Sequence, residues 1–306
     1  MNAESIAAAL GDTQNKGRGW WHARCPVCGH SKLALHDADD GLIARCFHGC
    51  AGREVYETLR SHKLIGRRAR RPTAVPLSPD ELAARAAKEA IERQRRIDFA
   101  RQIWSETVLA SDTIVETYLW SRLLMVPVPN VIRLHRSFWH SEGRERRPAM
   151  IARVDHIQYG SIGVHATWLQ PDGAVKASLT PPRKTFGPIG GGAVQLGDIR
   201  PGEWLIVGEG LETVLSAMMA LDLPGWAALS NIGIENLVLP REAAMIIVAG
   251  DNDASGAGQL SADKAARRFL AEGRRVKVLV PPKANTDWND VLRGRAPARA
   301  GVDHAA

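Results

Sequence analysis

Two sets of residues in this chain have types and spacings that could do chemistry. The first is a cysteine group, Cys25, Cys28, Cys46 and Cys50. They follow the order C-x2-C, seventeen intervening residues, then C-x3-C, and the remaining 280 of the 306 residues contain none. Two close pairs on separate turns can bring four thiolates to one tetrahedral centre, at about 2.3 Å from a zinc ion. Pro26 and Gly29 flank the first pair, and Gly49 and Gly52 the second, as tight knuckles require. Two disulfides are the alternative. The start of the chain has Glu4 and no basic run ahead of a long apolar core, so a reducing, cytoplasmic compartment is expected and zinc is favoured. His30 and His48 are near enough in sequence to replace a cysteine. Four cysteines leave no open coordination position, so the metal is read as structural, supplying stability to a ribbon with little core of its own.

The second set is acidic. Glu209 follows the apolar run 204–208, Asp251 and Asp253 follow 245–249, and Asp287 follows 275–280 after a short loop, with Asp290 one turn on. Ligand sites of open parallel sheets lie beyond the carboxyl ends of the strands, where all these acids fall. Carboxylates gathered there repel one another unless a cation lies between them. Hard oxygen ligands suit Mg²⁺ or Mn²⁺, and two such ions can assist phosphoryl transfer. Each acid also has a plain alternative. Asp253 before Ala-Ser-Gly can cap a helix, while Glu212 and Asp290 can face solvent from within helices.

Elements able to position these groups can be read along the chain. The segment between the cysteine pairs reads as a hairpin turning at Asp40-Gly41, and residues 53–65 as a short helix. GRRARRPTAVPLSP reads as a linker. Ser78, Pro79 and Glu81 then open a helix continuing to about Leu109, and a second helix covers 112–124. Residues 131–197 read as short strands and turns, with a reversal at Pro171-Asp172-Gly173. From 204 onward strands alternate with helices, which implies a mainly parallel α/β sheet.

Composition sets outer bounds. With 45% apolar and 24% charged residues the chain is globular, and no apolar run is long enough to span a membrane. Residues 60–96 hold eleven basic side chains and four acids, an excess equal to the whole net charge of +7. Such a segment attracts polyanions by counterion release, unless it is simply a solvated linker face. No G-x4-G-K-[ST] loop and no G-x-S-x-G turn occur, which excludes an ATP-driven motor and disfavours serine hydrolase chemistry. The nine tryptophans, among them Trp204 and Trp226, are expected mostly in the core.

EG at 209–210, DND at 251–253 and TDWND at 286–290 resemble the Toprim domain of bacterial-type DNA primases and topoisomerases, and the cysteine pattern at 25–50 is similar to the zinc-binding domain of those primases. Together they resemble the primase-like Toprim proteins of phages, plasmids and integrated elements. The resemblance implies a Rossmann-like Toprim catalytic domain at 201–296, preceded by a zinc ribbon (1–65), a basic linker with helices (66–125) and a basic α+β subdomain (126–200), with a tail at 297–306. It implies that Glu209, Asp251, Asp253 and Asp287 are catalytic, with Glu209, Asp251 and Asp253 holding magnesium. It places Lys176, Lys184 and Arg183 against the template–primer or nucleotide. Thr213 stands where the primases often carry an aspartate. The implied activity is synthesis of short RNA primers on single-stranded DNA from nucleoside triphosphates, beside a separate replicative helicase. A Toprim nuclease and an inactive zinc-ribbon DNA-binding adaptor are the alternatives. A topoisomerase ranks low, because Tyr56, Tyr118 and Tyr159 all precede the Toprim segment.

Overall fold

The computed structural model describes residues 2–38, 41–66, 78–124, 127–252, 254, 256–294 and 302–304. The basic run at 67–71, Asp40 and Asp253 lie outside the described residues. The chain forms two compact units, Met1–Ala84 and Arg85–Ala306.

The first unit contains α1 (Ala3–Leu10), β1 (Gln14–Gly17), β2 (Trp20–Ala23), β3 (Leu33–Ala38), β4 (Gly41–Cys46) and α2 (Gly52–Ser61). The strands form one antiparallel sheet in the order β1-β2-β3-β4. Gly41, expected in the turn, instead opens β4 opposite Ala38. The core is small: Ile6 from α1, Leu33 and Leu35 from β3, and Val55 and Leu59 from α2 are fully buried in it. Tyr56 on α2 fastens the sheet. Its hydroxyl donates to the Leu42 carbonyl and accepts the Ala44 N–H at 3.1 Å.

Helix α3 (Pro79–Ser105) begins where the sequence predicts. Ser78 and Glu81 exchange hydrogen bonds between side chains and backbone, at 2.8 and 3.2 Å, as a capping box. It ends four residues before Leu109, because β-branched Thr107 turns its hydroxyl back to the Trp104 carbonyl at 2.7 Å. The freed Val108–Leu109 becomes β5, and α4 (Ile114–Ser121) follows with Thr113 as N-cap.

The second unit is built from two sheets. β5 joins β6 (Ile132–His140), β7 (Glu145–His156), β8 (Gly160–Trp168) and β9 (Arg183–Phe186) in a five-stranded antiparallel sheet of order β5-β6-β7-β8-β9. Its central strands of 9, 12 and 9 residues are longer than the short strands expected. The other sheet contains β10 (Val194–Gln195), β11 (Trp204–Gly208), β12 (Gly225–Ala227), β13 (Met245–Ala249), β14 (Arg275–Leu279) and β15 (Val302–His304). Its order is β10-β12-β11-β13-β14-β15; the inner four strands are parallel and the two edge strands antiparallel. Strands buried on both faces must be apolar throughout, and WLIVG and MIIVA are.

Helices α5 (Leu211–Leu221) and α8 (Trp288–Leu292) pack together against this parallel sheet, while α6 (Asn231–Asn236) and α7 (Ala257–Ala271) form a second pair. From β11 the chain steps to β12 on one side and then to β13 on the other. That reversal opens a crevice at the carboxyl ends of β11 and β13, the usual ligand position in such sheets. Trp168, Trp226 and Trp288 are buried, whereas Trp120 and Trp139 are exposed. Among the described residues no helix is long and apolar enough to cross a membrane.

Candidate active site and metal centre

In the first unit, Cys25 and Cys28 lie after β2, Cys46 ends β4 and Cys50 precedes α2. All four are free thiols, with Sγ atoms within 4.8 Å of one another. Cys25 and Cys50 Sγ are 4.0 Å apart, and Cys28 and Cys46 Sγ are 3.7 Å apart. A tetrahedron with metal–sulfur bonds of about 2.3 Å has edges of about 3.8 Å, so the spacing fits a four-thiolate metal site without rearrangement. The His48 N–H points at Cys46 Sγ at 3.4 Å, a contact that favours a thiolate. His30 and His48 stack on each other with ring centres 3.6 Å apart, and form a second group with Cys28 whose ligand atoms also lie within 4.8 Å of one another.

In the second unit, the crevice between β11 and β13 is a cavity of about 230 Å³. Glu209 from the end of β11, Asp251 from the end of β13 and Asp287 from the loop after β14 all line it. Gly208 sets Glu209 in place, since a Cβ there would lie 2.8 Å from Val214 Cγ2 and 3.1 Å from the Ala249 carbonyl. Close approach of α5 to the strand end therefore depends on glycine. Asp251 Oδ1 accepts the Thr213 hydroxyl at 3.2 Å. Asp287 also caps α8, accepting the Asp290 N–H at 2.8 Å, while Asp290 reaches back to the Asp287 N–H. Capping and cavity lining are thus compatible in Asp287. Asp253 lies outside the described residues.

The carboxylates are more widely set than the cysteines. Among the described residues, groups of three or more with ligand atoms inside 4.8 Å occur only around the cysteines. An all-oxygen donor set lining a roomy cavity fits Mg²⁺, which keeps several waters and takes only one or two carboxylates directly.

Basic residues line the same cavity, from β9, from the loop after β8 and from the residue that follows α4. Pairing of β8 with β9 sets His165 opposite Thr185 and Thr167 opposite Arg183. Alternation therefore puts His165, Thr167, Arg183 and Thr185 on one face. The first three line the carboxylate cavity. Lys184, one residue on, is paired at 2.8 Å with Glu142 and lines an adjoining cavity of about 380 Å³ with Arg183 and Glu209. Lys176 lines the carboxylate cavity, with its Nζ 2.9 Å from Glu212.

Glu212 and His165 were not singled out in the sequence as site residues. Glu212 does not face solvent, the reading a helical position invites. Its side chain is 13% exposed and is held by Lys176, by Arg122 at 3.5 Å and by the Tyr118 hydroxyl. Burial pushes its pKa up, but Lys176, Tyr118 and Arg122 together pull it below the usual carboxylate value. A sequence signal existed for His165. Polar residues at 165 and 167 interrupt the otherwise apolar strand ILE-GLY-VAL-x-ALA-x-TRP at a two-residue interval, which marks one face of β8.

Two family models match within the second unit. Residues 204–298 match the Toprim domain family, and residues 94–196 match a domain of unknown function, DUF7146. No curated protein matches the chain by sequence. Among solved structures, a DNA primase domain from Pseudomonas aeruginosa is 18% identical with a TM-score of 0.36, over 54% of this chain and 53% of its own. The match thus spans about half of that protein's length. The zinc-binding and RNA polymerase domains of the Aquifex aeolicus primase give 13% and 0.42, over 96% and 80%. The primase fragment of the bacteriophage T7 primase-helicase protein gives 15% and 0.38, over 89% and 94%. With the acids of its three strand ends gathered in one crevice, the region 204–298 of this chain is a Toprim domain.

Proposed function

We propose that the protein is a primase-like nucleotidyltransferase that joins nucleoside triphosphates into short RNA primers on single-stranded DNA. The observation that carries this reading is the shared cavity of Glu209, Asp251 and Asp287, faced by Lys176, Arg183 and Arg122. Carboxylates alone would serve any metal-dependent hydrolysis. Three cations in the same cavity add what a triphosphate needs, positive charge to neutralise its phosphates. Glu209, Asp251 and Asp253 are the magnesium ligands in this account. A bound divalent cation would activate the attacking hydroxyl and stabilise the leaving pyrophosphate oxygen. Asp287 orients α8 and adds negative charge at the cavity floor. Arg183 and Lys176 receive phosphate oxygens, and Lys184 meets the nucleic-acid backbone in the adjoining cavity. The four cysteines hold a structural zinc, and the ribbon and the basic segment 60–96 retain the template. The resemblance noted in the sequence supports the same activity and implies a separate helicase as partner.

The experiment is direct. The full chain is incubated with Mg²⁺, nucleoside triphosphates and single-stranded DNA, and the products are separated by size. New oligonucleotides made by the native chain and lost in Asp251→Asn are expected. Shortened template would indicate a nuclease. DNA binding without any metal-dependent product, unchanged in Asp251→Asn, would indicate an adaptor.

A further inference from the structure

The chemistry just proposed gives no task to His165. This residue sits on β8 with 9% of its surface exposed, and its ring lines both the carboxylate cavity and the adjoining one. Its Nδ1 is buried and has no hydrogen-bond partner among the described residues. Leaving a polar atom buried and unpaired is costly, so such an atom in the wall of a cavity is a candidate for contact with a ligand. Burial, followed by the positive charges of Arg183 and Lys176, pushes the ring's pKa down to about 4, so it is neutral near pH 7.

A neutral imidazole has one nitrogen that donates and one that accepts. Anionic oxygens only accept, and in this cavity Arg122, Lys176 and Arg183 are better placed to meet them. A hydroxyl both donates and accepts, so it matches the ring in either tautomer. Position favours the same partner. His165 stands where the two cavities meet, with Arg183 and Glu209 lining both; Asp251 and Asp287 belong to the first cavity and Lys184 and Thr185 to the second. With phosphates received by Lys176 and Arg183 in the first cavity, the next part of a nucleotide to reach that junction is its sugar.

We infer that His165 is a specificity-determining residue that hydrogen-bonds a sugar hydroxyl, 2′ or 3′, of the bound nucleotide. This rests on the nucleotide reading above and adds to it the basis for sugar choice.

Calorimetric titration of the full chain with ATP, 2′-deoxyATP and 3′-deoxyATP, each with Mg²⁺, tests it. The native chain is expected to bind ATP roughly tenfold tighter than one of the two deoxy analogues, the size that one hydrogen bond gives. The disfavoured analogue identifies which hydroxyl is read. His165→Ala should abolish that ratio while leaving affinity for the disfavoured analogue within about twofold. His165→Gln, which keeps a hydrogen-bonding head, should retain part of it. If the alanine variant does not fold, His165→Leu takes its place with the same expected loss. Equal binding of all three nucleotides by the native chain overturns the assignment but leaves a nucleotide site. So does a ratio that survives in the folded apolar variant, or an equal weakening for all three. If the native chain binds none of them, the nucleotide reading itself falls and the assignment with it.

Discussion

Lys176 Nζ lies 2.9 Å from Glu212 Oε1, joining the loop after β8 to the first turn of α5. A lysine expected to meet phosphate is therefore already held by a carboxylate of its own chain. Glu212 also takes the Tyr118 hydroxyl and pairs with Arg122, so one buried acid fixes two cations of the cavity wall. The acid restrains these cations without neutralising the wall, because Arg122, Lys176 and Arg183 outnumber it.

Glu212→Gln should therefore lower stability. It leaves Lys176 and Arg122 partly buried without their counter-charge, and a loss at the low end of about 3–5 kcal/mol is expected. Denaturant unfolding of Glu212→Gln, Lys176→Met and the double variant checks this. The double variant should be more stable than the sum of the single losses implies. Simple additivity would mean the pair is not coupled.

Gly208 makes the junction between β11 and α5 possible. Gly208→Ala pushes a methyl group against Val214, a fully buried side chain with no room to move, and against the Ala249 carbonyl. A loss of about 1–3 kcal/mol is expected from this overpacking. Since Glu209 is the next residue, primer synthesis should fall more steeply than stability does, which parallel melting and product assays would register.

The cysteine site should bind one zinc per chain, as measured by elemental analysis. Cys46→Ser should lose that metal, and with it the near-ultraviolet signal of Trp20 and Trp21, because the small first core depends on the metal for stability. His30→Ala and His48→Ala should keep the full stoichiometry. A histidine variant that loses zinc would place an imidazole among the ligands.

The pH dependence follows from His165. Its folded pKa of about 4 lies below the ordinary value of 6.5, so the unfolded chain binds the extra proton between these limits. The stability it contributes is complete above pH 6.5 and is lost as the pH falls towards 4. His165→Gln should therefore show a shallower decline between pH 6 and 5, by up to about 1.4 kcal/mol per pH unit. Identical slopes in the two proteins would contradict a buried neutral ring.

Much of this was legible in the sequence, for physical reasons that differ by region. Continuous apolar runs ending in acids gave β11 and β13, and the C-x2-C and C-x3-C spacing gave the thiol cluster, because strand burial and metal geometry act locally. The reversal of strand order that brings Glu209 beside Asp251 is a tertiary fact with no local signature. Nor could spacing tell Arg183 from Lys184. Only the register of β9 on β8 puts the former in the carboxylate cavity and pairs the latter with Glu142. Glu212 read as a solvent-facing helical acid because its partners, Tyr118, Arg122 and Lys176, lie far away in sequence.

The central claim is that Glu209 and Asp251 serve one divalent-cation site. Titration of the zinc-loaded chain with Mn²⁺, followed by electron paramagnetic resonance, measures that site without reference to activity. Glu209→Gln and Asp251→Asn should each weaken Mn²⁺ binding by about tenfold or more, as expected for loss of a charged ligand. Mn²⁺ binding that is unchanged in both variants would contradict the account.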